Sequence, residues 1–140
     1  MPRPRSNPVR VAISLGDPSG IGPEVTAGAL RALAGSVAPV VFGDARLLRR
    51  RLGPLGLPLV EPGDRLPPGG ALVPVTRLPA AALRPGRPHP SGGAAQLAYL
   101  EAAFGAVRRG DAAALVTAPV SKGQVARALP GFVGHTEWLE

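Results

Sequence analysis

The chain contains no cysteine, one methionine, one tryptophan, one tyrosine and two histidines among 140 residues. The absence of thiols excludes disulfides, zinc fingers, iron–sulfur clusters and cysteine nucleophiles, and it is compatible with a reducing compartment. Long apolar runs are missing as well, none approaching the roughly 18 residues of a membrane span. The basic stretch Met1–Pro8 leads through Val9–Leu15 directly into Gly16-Asp17-Pro18, without the apolar region and small-residue cleavage site of an export signal. A soluble, cytoplasmic protein with no membrane partner is the expectation. Acidic residues are scarce: Asp and Glu total 9 against 16 Lys and Arg, a net charge of +7. Such a balance permits nucleic-acid binding. The arginines are scattered, however, except at Arg49-Arg50-Arg51 and Arg108-Arg109, and aromatic residues for base stacking are few. Nucleic acid is therefore not expected as a partner.

The length and the 45% apolar content suit one domain with a modest core. Glycine and proline are abundant, at 19 and 18 residues, yet the apolar residues keep helix and strand periods. Residues 1–8 read as a disordered tail. Val9, Val11, Ile13 and Leu15 alternate as a strand, and Pro23 and Glu24 suit the first turn of a helix with Val25, Ala29 and Leu33 as its apolar face. Val37–Phe42 reads as a strand, with Asp44 capping a helix that carries Leu47, Leu48 and the arginine triplet. Residues 53–90 are dense in Gly and Pro, with Leu57–Val60 and Ala71–Val75 as short strand candidates. Ser91 can cap a long helix with Leu97, Leu100, Phe104 and Val107 as its stripe, leaving Gln96, Glu101 and Arg108 outside. Ala112–Thr117 reads as a buried strand, and Ser121 with Gln124 as a capping box. Alternation of strands and helices predicts a layered α/β/α fold with a largely parallel sheet. Thr136 can cap a further helix at Glu137–Glu140, where the sequence ends about one turn in, so the chain reads as cut at its carboxyl end.

Three segments carry polar chemistry. Gly16-Asp17-Pro18-Ser19-Gly20-Ile21-Gly22-Pro23-Glu24 joins a strand to a helix, but it has neither the Gly-x-Gly-x-x-Gly order of a dinucleotide fingerprint nor the Gly-Lys-Ser/Thr of a P-loop. It suits a plain tight turn and an anion site equally well. Thr117-Ala118-Pro119-Val120-Ser121-Lys122 follows a strand at its carboxyl end, where open α/β sheets bind ligands. Lys122 is the only lysine in the sequence, and beside a helix start its ammonium can hold a phosphate, although a solvated surface lysine is the commoner case. Gly134-His135-Thr136-Glu137 sets an imidazole beside a hydroxyl at a helix start; a capping threonine next to a surface histidine explains it equally well. His89, between Pro88 and Pro90, reads as exposed loop, and two such distant histidines make no complete metal site.

In order and spacing, these segments together with Val40-Val41-Phe42-Gly43-Asp44 and Ser91-Gly92 resemble the 4-hydroxythreonine-4-phosphate dehydrogenase family of vitamin B6 biosynthesis. The resemblance runs from Val11 to Glu140. Family members are about twice as long or longer, so it implies the N-terminal part of a two-domain, isopropylmalate-dehydrogenase-like fold, with residues 9–140 as its incomplete half. It further implies NAD-dependent oxidation and decarboxylation of 4-phosphooxy-L-threonine to 3-amino-2-oxopropyl phosphate, in a homodimer using a divalent cation (Zn, Mg or Co). His135 and Thr136 fall on the family's substrate-contacting His-Thr pair, and Lys122 is added as a phosphate contact on the strength of its position. The family's metal-binding histidines lie beyond Glu140, and the fragment alone is expected to be inactive. The competing expectation is a non-catalytic α/β module that binds a phosphorylated metabolite.

Overall fold

The computed structural model describes residues 7–140, so the tail expected over residues 1–8 falls outside it as far as residue 6. Four strands, β1 (Val9–Ser14), β2 (Val37–Asp44), β3 (Ala71–Thr76) and β4 (Ala114–Thr117), form one parallel sheet in the order β3-β2-β1-β4. The helices are α1 (Gly22–Ala32), α2 (Ala45–Leu47) with its π-helical continuation Leu48–Leu52, α3 (Gly92–Arg108), α4 (Lys122–Ala128) and α5 (His135–Leu139). Parallel neighbours need crossovers, and the helices provide them. The expected α/β/α layering is thus present.

Register sorts the core into two layers. Ile13, Val41 and Leu72 lie in line across the sheet and meet Ala27 and Leu30 of α1 and Leu47, Leu48 and Leu52 of the α2 region. One residue earlier in each strand, Ala12, Val40 and Ala71 face the other way, toward Ala103 and Ala106 of α3. Period-two alternation in the strands thus assigns each side chain to its layer.

Several local expectations are corrected. In α1 the buried residues are Gly22, Pro23, Thr26, Ala27 and Leu30, whereas Val25 and Leu33 are 48% and 46% exposed. The cause is Gly22: a Cβ there would stand 2.1 Å from the Leu15 carbonyl oxygen, so only glycine lets the helix dock, and its docking turns Val25, Ala29 and Leu33 outward. Gly22→Ala is expected to cost about 1 to 3 kcal/mol, because backbone must move to admit the methyl group. A shifted midpoint in urea denaturation checks this, and an unchanged midpoint would refute it.

In α3 the buried face is Ala95, Gln96, Tyr99, Leu100, Ala103 and Ala106, while Leu97, Phe104 and Val107 are half-buried. Small alanines let this helix lie close to the sheet, so volume rather than hydrophobicity chose the face. Leu57–Val60 is not a strand; only Leu59 bridges to Leu72, because Pro58 has no N–H to extend the pairing. The run at Ala112–Thr117 gives an edge strand, β4, with Val116 49% exposed. Ser91 precedes α3, but its hydroxyl meets His89 Nδ1 at 2.8 Å and makes no cap. His89 is half-buried rather than exposed, its Nδ1 also accepting from Ser91 N at 3.2 Å.

Candidate functional site

The carboxyl ends of β1 and β4 lie side by side, and the segments that follow them are bound together. Ala118 N donates to Ser14 O and Asp17 N to Pro119 O. Gly16, at φ +77°, lies so close to the Pro119 carbonyl that a Cβ would sit 2.3 Å from its oxygen. Within residues 16–24 the first half is a tight turn: Asp17 Oδ1 accepts from Ser19 N and Ser19 Oγ, both at 2.9 Å, and Gly20 N donates to Asp17 O, so these amides are engaged internally.

Ser121 opens α4 as expected, its Oγ accepting from Gln124 N at 3.4 Å. The reciprocal arm of the capping box is absent. Gln124 instead sends Nε2 to Asp17 Oδ2 at 2.9 Å, and Ser121 N donates to Gln96 Oε1 at 2.8 Å. Lys122, the first residue of α4, is exposed.

Its ammonium comes near the start of α5: a Cβ on Gly134 would stand 4.0 Å from Lys122 Nζ and 2.9 Å from Glu137 Oε2. His135 follows directly, half-buried, with its ring edge-on to Phe132 at 6.5 Å between centroids and its Nε2 buried without a hydrogen-bond partner among the described residues. Partial burial, and then the charge of Lys122, lower the His135 pKa from its ordinary 6.5. The folded state binds fewer protons there than the unfolded chain, so stability is lost as pH falls from 6.5 toward that lowered value. At neutral pH the ring is neutral, with one nitrogen to donate and one to accept. Thr136 does not cap α5; the helix already begins at His135, behind Gly134, and Thr136 lies exposed in its first turn.

The structure therefore places Lys122 near the start of the helix that carries His135 and Thr136, after the carboxyl end of β4. Sequence reasoning missed Asp17, Gln96 and Gln124, which fix the segments around them. A polar residue within the apolar run of α3 was the available signal for Gln96. A cavity of about 470 Å³ lined by His89, Gln124 and Arg127 adjoins this region, whereas a larger one of about 1200 Å³, lined by Arg10, Glu61 and Asp111 among others, lies toward the amino ends of β1 and β4. Neither cavity is lined by Lys122, His135 or Thr136. Among the described residues, no three His, Asp or Glu side chains converge where they could hold a metal ion, and no helix is long and apolar enough to cross a membrane.

Comparison with known proteins gives this geometry a family. The chain is 42% identical over 139 residues to a 4-hydroxythreonine-4-phosphate dehydrogenase of Xanthobacter autotrophicus, a match covering 94% of the chain and 40% of that protein. Among solved structures, it superposes on a 4-hydroxythreonine-4-phosphate dehydrogenase from Burkholderia phymatum with a TM-score of 0.77 at 26% identity, covering 96% of this chain and 43% of that one. A terephthalate 1,2-cis-dihydrodioldehydrogenase from Burkholderia xenovorans LB400 matches with a TM-score of 0.68 at 36% identity, covering 89% and 38% respectively. The chain thus spans about 40% of the length of the curated relatives it matches. The family model described as pyridoxal phosphate biosynthetic protein PdxA matches residues 36–140, which takes in β2 through α5 and with them Lys122, His135 and Thr136, and the chain accordingly belongs to the PdxA family.

Proposed function

We propose that this chain is the N-terminal, substrate-binding portion of a 4-hydroxythreonine-4-phosphate dehydrogenase. The complete enzyme would be a cytoplasmic homodimer that oxidises 4-phosphooxy-L-threonine with NAD and, after decarboxylation, yields 3-amino-2-oxopropyl phosphate for pyridoxal phosphate synthesis. The observation that carries this reading is the placement of the Lys122 ammonium near Gly134, at the start of the helix that carries His135 and Thr136, beyond the carboxyl end of β4 in a chain of this family.

Lys122 offers a mobile point charge to the substrate's phosphate, which carries nearly two negative charges near neutral pH. His135 and Thr136 offer hydrogen bonds to the rest of the substrate, the imidazole neutral beside the ammonium. When bound, NAD supplies the hydride acceptor and a divalent cation the Lewis acid that polarises the substrate hydroxyl. Lys122, His135 and Thr136 are assigned to the substrate. Because it spans about 40% of the length of the relatives it matches, the isolated 140-residue chain is expected to show no NAD reduction with the phosphorylated substrate.

The test is Lys122→Met in the full-length protein. A phosphate contact shared by ground and transition states predicts a KM for the phosphorylated substrate raised about tenfold, with kcat within about threefold of native. An unchanged KM returns Lys122 to an ordinary surface lysine, and a fall in kcat alone assigns it to proton transfer.

A further inference from the structure

We propose that Gln96 is a positioning residue, whose carboxamide on α3 holds the Ser121-Lys122 backbone so that the lysine meets the substrate's phosphate. This rests on the reading of Lys122 as the phosphate contact. Gln96 is 2% exposed, and its Oε1 accepts from Ser121 N at 2.8 Å across 25 positions of sequence. Ser121 is the residue from which α4 starts, and Lys122 is the first residue of that helix. A shift of the Ser121 amide therefore displaces the lysine stem directly.

The same short segment is tied from two further directions. Gln124, 8% exposed, reaches Asp17 Oδ2 at 2.9 Å and so joins α4 to the turn after β1. Gly92 and Gly93 let α3 approach so closely that Cβ atoms there would stand 2.2 Å from Gln124 Oε1 and 2.1 Å from Gln124 O. A lysine that merely solubilises a surface needs no such bracing. The ties also come at a cost, since Gln96 Nε2 and Gln124 Oε1 are buried without hydrogen-bond partners among the described residues. An apolar side chain of similar size would fill either place without an orphaned amide group. What the glutamines add is the location of the α4 start, and through it the location of Lys122.

The experiment compares Gln96→Met, Gln96→Glu, Lys122→Met and the double variant Gln96→Met/Lys122→Met in the full-length protein, assayed with 4-phosphooxy-L-threonine and NAD. Gln96→Met should raise KM about tenfold while kcat stays within about threefold. Gln96→Glu keeps an acceptor for Ser121 N and should restore a near-native KM. The double variant should match Lys122→Met alone, because residues acting through one contact are not additive. If Gln96→Met does not fold, Gln96→Ala, on a face already rich in alanine, serves in its place. A native KM in folded Gln96→Met or Gln96→Ala, or a further rise in KM on top of Lys122→Met, would overturn the proposal while leaving the phosphate role of Lys122 intact. An unchanged KM in Lys122→Met itself would overturn that role, and the proposal with it.

Discussion

Replacing Asp44 by alanine is expected to remove about 3 to 5 kcal/mol of folding stability, a large part of the roughly 5 to 15 kcal/mol a domain possesses. Asp44 ends β2 and is fully buried. Its Oδ1 caps α2 by accepting from Arg46 N at 2.9 Å and Leu47 N at 3.4 Å, and its Oδ2 accepts from Thr76 Oγ1 at 3.0 Å and Leu78 N at 2.7 Å. Loss of a cap alone costs about 1 kcal/mol. Hydrogen bonds to a charged acceptor contribute roughly 1.5 to 3 kcal/mol each, and a donor left buried without a partner adds its own penalty. The network continues through Thr76, whose hydroxyl donates to Asp44 and therefore accepts from Tyr99 Oη at 2.7 Å. Burial of the phenol, reinforced by the nearby Asp44 charge, pushes the Tyr99 pKa up, so this chain of donors stays protonated. Urea denaturation of Asp44→Ala against Asp44→Asn checks the argument: asparagine keeps one acceptor and should lose less. A loss below about 1 kcal/mol for alanine would contradict it.

His135→Ala in the full-length protein should lower kcat/KM for the phosphorylated substrate by about 10- to 100-fold, equivalent to roughly 1.4 to 2.7 kcal/mol of transition-state stabilisation. The structure sets His135 next to Gly134, near the Lys122 ammonium, and leaves its buried Nε2 without a hydrogen-bond partner among the described residues. Thr136→Ala should act in the same direction and less strongly, through one hydroxyl. Because Thr136 lies exposed within the first turn and does not cap α5, its removal should change stability by less than about 0.5 kcal/mol. Native kcat/KM in both variants would show that neither residue touches the substrate.

Much of this was legible in the sequence, for physical reasons that differ by element. The alternation of Val9 to Leu15 and the acceptor at Asp44 were readable because strand period and helix capping are local effects. The docking face of α1 was not, because it depends on one backbone contact between Gly22 and the Leu15 carbonyl, which no periodicity of Val25, Ala29 and Leu33 encodes. For α3, hydrophobicity pointed to Leu97, Phe104 and Val107, whereas close approach to the sheet selected alanines and buried Gln96 with them. At the site, resemblance to a known family singled out His135 and Thr136, and position at a strand end singled out Lys122. The hydrogen bonds of Gln96 to Ser121 and of Gln124 to Asp17 stayed hidden because they span 25 and 107 positions of sequence.

Substrate preference decides whether this site accepts a phosphorylated hydroxy-amino acid. Relatives at similar identity include a terephthalate dihydrodiol dehydrogenase as well as 4-hydroxythreonine-4-phosphate dehydrogenases. The measurement is NAD reduction by the full-length protein with 4-phosphooxy-L-threonine, with its unphosphorylated counterpart, and with a cis-dihydrodiol carboxylate. A cationic contact at Lys122 predicts kcat/KM at least about 100-fold higher for the phosphorylated compound, most of the difference lying in KM. Equal or faster turnover of the dihydrodiol or of the unphosphorylated compound would contradict it.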